Sequence, residues 1–544
     1  MYRELRKARL GEINKLAETR ARQSMLQSLD AGKLERRYHD PTAAKDRFVA
    51  SGMSRDQFLM ALDGALMTSL LHMEARVASN IGKGYYTIGP CGEELLGAAS
   101  LHLQDIDSVA LHYRHTANSI VRQLRTRGAD EILLDRARAY TCSSLDPVTH
   151  GRHCSIGGGP NEFLVTSTLA SQCPPAVGRA LGIPLAQALK LPDATFDKNA
   201  ISYVSVGDGS TANAHFLSAV NLSKYAAFKG TKVPLVFGVS DNNMCISLKG
   251  TGYLRHLVDS LDLKTFTANG CDLYDVYSQS QKAISYARKY SKPSLILYTD
   301  LPRRFGHAGT DRQFAYLTAE EIEAQEQADP LSGAMAEAVD AGLMSYEQLQ
   351  GRVLDMEEAV IEAFEKASEE PKLTSRDTLV MSNSAPLQPK PESKVKEGGV
   401  VGGKGDRVVM RKLITGSIRE ILDRQDGKGI YIGEDVEHGG YYLASDGLKA
   451  EFPLRVHDYP PDETTLVGAG VGLAQVGFVP VVELPYAKYL DCGADMFQES
   501  LITHWLSDGT QSNGMIYRLQ VRLTLSLSLC SASTHCLLLS LYPL

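Results

Sequence analysis

The chain has no basic excess. Its 57 lysines and arginines face 64 aspartates and glutamates, a net charge of −7, and its pI is near 6.1. Nucleic-acid binders usually carry surplus positive charge, so that partner class is not expected. The chain also has no Cys-x-x-Cys pair. Its 9 cysteines are Cys91, Cys142, Cys154, Cys173, Cys245, Cys271, Cys492, Cys530 and Cys536. The scattered spacing argues against a zinc ribbon or thioredoxin motif, and the odd count reads as reduced thiols in a cytosol-like compartment or matrix. A strongly apolar average is missing too: mean hydropathy is −0.17, so no membrane class is expected. Hydrophobic residues at 43% and charged residues at 22% are ordinary globular usage, which rules out wholesale disorder. A chain of 544 residues is too long for one hydrophobic core and predicts roughly three or four domains.

The pattern changes along the chain. Residues 1–50 form a helical extension; its first part mixes Lys and Arg with Glu4, Glu12 and Glu18. Transit peptides are poor in acids, so this segment reads as a solvated helix. Residues 51–364 form the first large domain. Ser54-Arg55-Asp56-Gln57 fits a capping box, and Leu59, Leu62, Leu66, Leu70 and Met73 follow at helical spacing. Apolar runs at 201–206 and 233–240 are bounded by turn residues, with Ala214, Leu217 and Val220 at helical spacing between them. Strands alternating with helices predict a mostly parallel sheet with helices on both faces.

Residues 365–406 hold Pro371, Pro386, Pro389 and Pro391, many Ser and Lys, and two Gly-Gly pairs. Such a composition reads as a flexible linker. A second α/β module follows at 407–517. Met410, Ile414, Ile418 and Ile421 make a helix stripe, and Ile430-Tyr431-Ile432 a short strand ending in Gly433-Glu434-Asp435. The fold class is therefore α/β, two modules joined by a tether. Residues 518–544 form an aberrant Leu/Ser-rich tail, uncharged after Arg522. Its length would just span a bilayer, but its Ser and Thr content and His535 make a poor spanning helix. It reads as foreign sequence in place of a true C-terminal part.

The sharpest signal is Gly207-Asp208-Gly209 at the end of one predicted strand, paired with Asn242-Asn243 at the end of the next. Ligands of such sheets bind outside the carboxyl ends of strands. Glycines let backbone approach a diphosphate, and the following helix start offers free N–H groups. Asp208 supplies an anionic oxygen and Asn243 a neutral one, a set that suits Mg²⁺ shared with phosphates.

Gly-Asp-Gly spaced to Asn-Asn resembles the thiamine diphosphate motif. Its flanks resemble the decarboxylating first component of 2-oxo acid dehydrogenase complexes: the α-subunit over about 84–316, and the first domain of the β-subunit over 407–517. The resemblance implies an α–β fusion. It also implies metal ligation by Asp208, Asn243 and the backbone carbonyl of Cys245, where the family commonly has tyrosine. Tyr113 and Arg114, within His-Tyr-Arg-His, match the pair that holds the diphosphate, a task that suits a bidentate guanidinium. Gly209 and Ser210 belong to the same cradle. Ser167 would touch the aminopyrimidine through backbone, and Leu169 would be the apolar wedge that bends the cofactor. Pro302-Arg303-Arg304-Phe305-Gly306-His307 resembles the Arg-rich loop at the site mouth. His307 would meet substrate and handle a proton. Ala308 stands where mammalian relatives carry a regulatory phosphoserine.

In the second module, Glu463 lines up with the family's catalytic glutamate, whose carboxyl against a ring nitrogen favours the imino tautomer of the aminopyrimidine. Gly468-Ala469-Gly470-Val471-Gly472 lacks the third glycine of a dinucleotide loop, because Leu473 occupies that place. Tight helix packing explains the run better. Tyr489 would pack in the pyrimidine pocket, and Pro485 departs from the usual amide residue.

The resemblance implies oxidative decarboxylation of a 2-oxo acid, branched-chain (3-methyl-2-oxobutanoate) first and pyruvate second. The acyl group would pass to the lipoyl-lysine of a dihydrolipoyl acyltransferase. A homodimer is expected, in the mitochondrial matrix if the source is eukaryotic and otherwise in the cytoplasm. The competing expectation is a catalytically dead cofactor-binding remnant, since the family's pattern stops near Tyr517.

Overall fold

A computed structural model describes residues 1–30, 34, 41–153, 157–159, 161–379, 409–424, 427–511, 513–522 and 534–541. The chain divides into two compact units. The first holds Met1–Gln172, Asn199–Leu217 and Pro234–Leu379, and the second Cys173–Lys198, Ser218–Val233 and Val380–Leu544. The division does not follow chain order, because two stretches inside 51–364 group with the C-terminal half.

The first unit is built on a parallel sheet of β1 (Ser108–Ala110), β2 (Ser202–Gly207), β3 (Leu235–Ser240), β6 (Lys264–Asn269) and β7 (Ser294–Thr299), ordered β1-β2-β3-β7-β6. A two-stranded hairpin, β4 (Met244–Cys245) with β5 (Leu248–Lys249), follows β3 directly. β2 and β3 are buried along their whole length, as expected of a sheet covered on both faces. Their register pairs Gly207 with Ser240. The two predicted motif ends therefore emerge side by side at one sheet edge. Helix Arg55–Asn80 starts at Ser54, whose capping box with Gln57 is complete. It buries Leu62, Leu66, Leu70 and Met73, with Leu59 packed at the margin.

The structure departs from the sequence pattern at three places. The N-terminal helix Tyr2–Ala8 is docked rather than solvated. Tyr2 is fully buried, and its hydroxyl donates to Glu74 at 2.7 Å, while Arg22 donates to the other Glu74 oxygen at 2.8 Å. A carboxylate inside the core needs such partners. Helix Ala214–Phe228 exists, but it buries Phe216, Ala219 and Val220 and leaves Leu217 exposed. The aromatic at 216 shifts the apolar face by one position. Finally, residues Asp208–Ala212 form a short 3₁₀ turn, and the α-helix proper begins only at Ala214.

The second unit has its own sheet: β8 (Gly429–Gly433), β9 (Val456–Asp458), β10 (Val479–Leu484), β11 (Met515–Arg522) and β12 (Thr534–Leu541), ordered β12-β11-β10-β8-β9. Only the β11–β12 pair is antiparallel. Helix Met410–Arg424 buries Ile418 and Leu422 against β8, with Ile414 and Ile421 packed at the margin and Met410 exposed. Helix Glu463–Val476 is buried from Thr465 onward and crosses helix Cys173–Leu189 at close range. A Cβ on Gly472 would lie 2.1 Å from the Pro175 carbonyl oxygen, and one on Gly178 would lie 2.4 Å from that of Ala469. The glycine run is thus a helix-crossing surface, as its sequence suggested.

Helix Tyr346–Glu369 carries ordered structure into the start of the expected linker. The linker is described as far as Leu379; residues 380–406 lie outside the described residues, as do 523–533 and 542–544 of the tail. Among the described residues no cysteine is in a disulfide, and no helix is long and apolar enough to cross a membrane.

Candidate active site

At the carboxyl edge of the first unit's sheet lies a cavity of about 230 Å³. Tyr113, Arg114, Ser167, Leu169, Asp208, Gly209, Ser210, Cys245 and His307 all line it. These positions come from five separate stretches of chain, brought together by the β2 and β3 ends and the loops around them.

Asp208 follows β2 immediately. Its Oδ1 accepts from the Gly209 N–H at 2.6 Å and its Oδ2 from the Met244 N–H at 2.9 Å. The second bond ties the β2 end to the β4–β5 hairpin. Burial pushes the Asp208 carboxyl up to about 6, more than its backbone hydrogen bonds lower it. A carboxylate in that condition is stabilised by a cation beside it. Gly209 is required for the hairpin's approach: a Cβ there would sit 2.1 Å from Cys245 Sγ. The Cys245 thiol is pushed up, first by burial and then by Asp208.

Arg114 is buried and spans the cavity wall. It donates to the Gly89 carbonyl at 2.7 Å and to His307, at Nδ1 (2.9 Å) and the backbone carbonyl (3.3 Å). Because the guanidinium only donates, His307 Nδ1 is an acceptor. Burial, then the charges of Arg114 and Arg303, lower His307 to about 4. The His307 N–H donates to Asp311 at 2.6 Å, and the Tyr316 hydroxyl reaches the same oxygen at 2.5 Å. The Tyr113 ring packs at a 37° tilt against His112, 3.9 Å between ring centres. Burial, then neighbouring positive groups, hold His112 well below the usual imidazole range.

Asn243 does not line the cavity. It is exposed, adopts a left-handed φ of 57°, and its side-chain oxygen accepts from Gly252 N at 3.4 Å. Asn242 occupies the wall instead. Tyr86, Ile88, His112, Gly207, Met244 and Ile246 also line the cavity. The sequence signal for two of these was present, in the first asparagine of Asn-Asn and the histidine before Tyr113.

Glu463 and Tyr489 belong to the second unit. Glu463 opens its helix behind the N-cap Asp462, whose oxygens accept from the backbone and hydroxyl of Thr465 at 3.3 and 2.7 Å. Burial, then Glu463 and Asp462, raise the nearby Glu434 carboxyl. Tyr489 packs edge-on to Tyr486 at 5.4 Å, which in turn packs on Tyr441 at 5.9 Å. Of these acids, Glu434 lies near Tyr441.

The donor set of the first unit fits a diphosphate with its cation. One carboxylate is raised by burial, amide and carbonyl oxygens lie on the adjoining turn, and a fixed guanidinium faces them. The fold and cavity define an α/β protein with a polar cavity at adjoining strand ends, suited to a phosphorylated ligand. The chain belongs to the dehydrogenase E1 component family, whose profile matches residues 73–376. That is more than half of its 544 residues. Membership implies thiamine diphosphate as the cofactor.

Among individual proteins, the chain is 27% identical over 172 residues to the pyruvate dehydrogenase E1 component subunit alpha of Mycoplasma pneumoniae, covering 30% of this chain and 46% of that protein. It is 27% identical over 253 residues to the mitochondrial 2-oxoisovalerate dehydrogenase subunit alpha of Mus musculus, covering 43% and 51%. It is also 36% identical over 94 residues to the pyruvate dehydrogenase E1 component subunit beta of Leifsonia xyli subsp. xyli, covering 17% and 28%. The chain therefore resembles both subunit types, and spans about half or less of each of these relatives.

Proposed function

We propose that the chain is the decarboxylating, thiamine diphosphate-dependent first component of a 2-oxo acid dehydrogenase complex, with α-like and β-like parts in one polypeptide. The carrying observation is the register of β2 with β3, which brings Asp208 and the Asn242-to-Cys245 turn to the same cavity as Arg114. In this reading Asp208, Asn243 and the Cys245 backbone carbonyl hold Mg²⁺. Oxygen donors of this kind suit a cation that shares its shell with phosphates. Arg114 and Tyr113, with the Gly209 and Ser210 backbone, hold the diphosphate. Leu169 and the Ser167 backbone support the aminopyrimidine.

When bound, thiamine diphosphate supplies an electron sink for the decarboxylation of a 2-oxo acid. The chain's residues do the rest. Glu463, in the second unit, would supply the carboxyl that holds a proton at the aminopyrimidine ring, and Tyr489 would pack in the pyrimidine pocket. His307, fixed by Arg114, accepts or delivers a proton at the substrate. The acyl group then passes to the lipoyl-lysine of a dihydrolipoyl acyltransferase. A homodimer is the proposed working assembly.

Branched-chain 2-oxo acids are the proposed substrates, supported by the relatives named for 2-oxoisovalerate. Pyruvate is the second reading, supported by those named for pyruvate. Comparing kcat/KM for 3-methyl-2-oxobutanoate and pyruvate with an artificial electron acceptor decides between them. A preference for the branched acid is expected. A preference for pyruvate reverses the substrate assignment, and no turnover of either refutes the activity.

A further inference from the structure

Behind the cavity wall lies a buried polar chain that the proposed function does not use. Glu93 is fully buried in the first unit. Its Oε1 accepts from Asn242 Nδ2 at 2.9 Å, and its Oε2 lies 3.0 Å from His115 Nε2. His115 Nδ1 lies 2.7 Å from the Ser205 hydroxyl, which also accepts from the His112 N–H at 3.0 Å. His115 Nε2 is within 3.1 Å of the Ser240 hydroxyl. Ser205 is on β2 and Ser240 ends β3, so the chain is anchored in both strands.

With Nε2–H donating to Glu93, His115 Nδ1 is left to accept from Ser205. Glu93, His112 and His115 come close enough to share a metal ion. However, both Glu93 oxygens and both His115 nitrogens already have partners, so the geometry favours a hydrogen-bonded lock.

The lock's outer end is functional ground. Asn242 lines the cavity, and its Oδ1 accepts from the Met244 N–H at 3.1 Å. That same N–H donates to Asp208 Oδ2 at 2.9 Å. Fixing the Asn242 amide therefore fixes the turn from Asn242 to Cys245 and its link to Asp208. We propose that Glu93, held by His115 against Ser205 and Ser240, is a positioning residue that sets the Asn242–Met244–Asp208 arrangement for cation capture. The cation part of this proposal rests on the thiamine diphosphate reading; the positioning part does not.

The test uses the full chain with Glu93→Leu, Glu93→Gln and Asn242→Ala. The first readout is amide hydrogen exchange of residues 242–245 without cofactor, and the second is the magnesium half-saturation for thiamine diphosphate uptake. Glu93→Leu is expected to speed exchange about tenfold, the size of one lost charge-assisted bond. It should also raise the magnesium half-saturation at least about tenfold. Glu93→Gln should stay within about twofold of the parent, because its amide can serve both Asn242 and a His115 of reversed tautomer. A role confined to stability would lower the melting temperature without moving the magnesium requirement. If Glu93→Leu does not fold, Asn242→Ala removes the same bond from the cavity side and should show both effects. A folded Glu93→Leu or Asn242→Ala protein with parental exchange and parental magnesium half-saturation overturns the proposal. If the parent takes up no thiamine diphosphate, the cofactor reading fails, while the exchange arm still decides the positioning.

Discussion

Two glycine-to-alanine substitutions in the second unit should change stability in opposite directions. Gly472 and Gly416 both lie inside helices. A Cβ at 472 would meet the Pro175 carbonyl oxygen at 2.1 Å, Arg179 N at 2.6 Å and Gly178 Cα at 2.7 Å. All three are backbone atoms, which cannot rotate away, and ordinary carbon contacts lie near 3.5–4.0 Å. The helices must part by more than an ångström. The upper end of the overpacking range, about 3 kcal/mol, applies. The better helix propensity of alanine returns about 1 kcal/mol. Gly472→Ala should therefore cost about 2 kcal/mol. At Gly416 a Cβ meets nothing within 4 Å, so Gly416→Ala keeps only the propensity gain, about 0.5–1 kcal/mol of added stability. Urea unfolding followed by the fluorescence of Trp505 measures both, since the chain has 1 tryptophan and it lies in this unit. With a slope near 2 kcal/mol per M, the Gly472→Ala midpoint should fall by roughly 1 M. A Gly472→Ala protein as stable as the parent would refute close helix contact and reopen the glycine run as a ligand loop.

Three further outcomes are expected. Glu463→Gln should keep the melting temperature and cofactor uptake while cutting decarboxylation at least about a hundredfold; steady-state kinetics beside calorimetry separates these effects. Arg114→Lys loses the fork that holds Gly89 and His307, and thiamine diphosphate affinity by titration should fall roughly 10- to 100-fold. His72 is buried with neither ring nitrogen hydrogen-bonded, and burial lowers it to about 4. The unfolded chain therefore binds the extra proton first, and stability is lost as pH falls from about 6.5 towards 4, by up to about 3 kcal/mol. His72→Phe should flatten that part of the pH–stability curve by about one proton.

Local features were legible in the sequence. The capping box at Ser54, the strands before Gly207 and Asp241, and the apolar stripe around Ile418 each depend on neighbours a few residues apart. The cavity followed from two such strand ends once the sheet was parallel. What sequence spacing could not show was which asparagine faces inward. Asn242 is turned to the cavity by its bond to Glu93, while Asn243 takes a left-handed φ beside it. Glu93 and His115 were missed because their roles are set by partners far along the chain: Glu93 meets Asn242 across 149 positions. The N-terminal segment looked solvated because Arg6 and Arg22 find their partner in Glu74, a buried carboxylate more than fifty positions away.

Asp208 and the turn after β3 are proposed as a magnesium-dependent seat for thiamine diphosphate. Calorimetric titration of the full chain with thiamine diphosphate, with magnesium and after chelation, puts this seat to the test. Uptake should saturate with magnesium, fall steeply on chelation, and fall as far in Asp208→Ala whatever the metal concentration. Equal uptake with and without magnesium, or no uptake by a correctly folded sample, would contradict it.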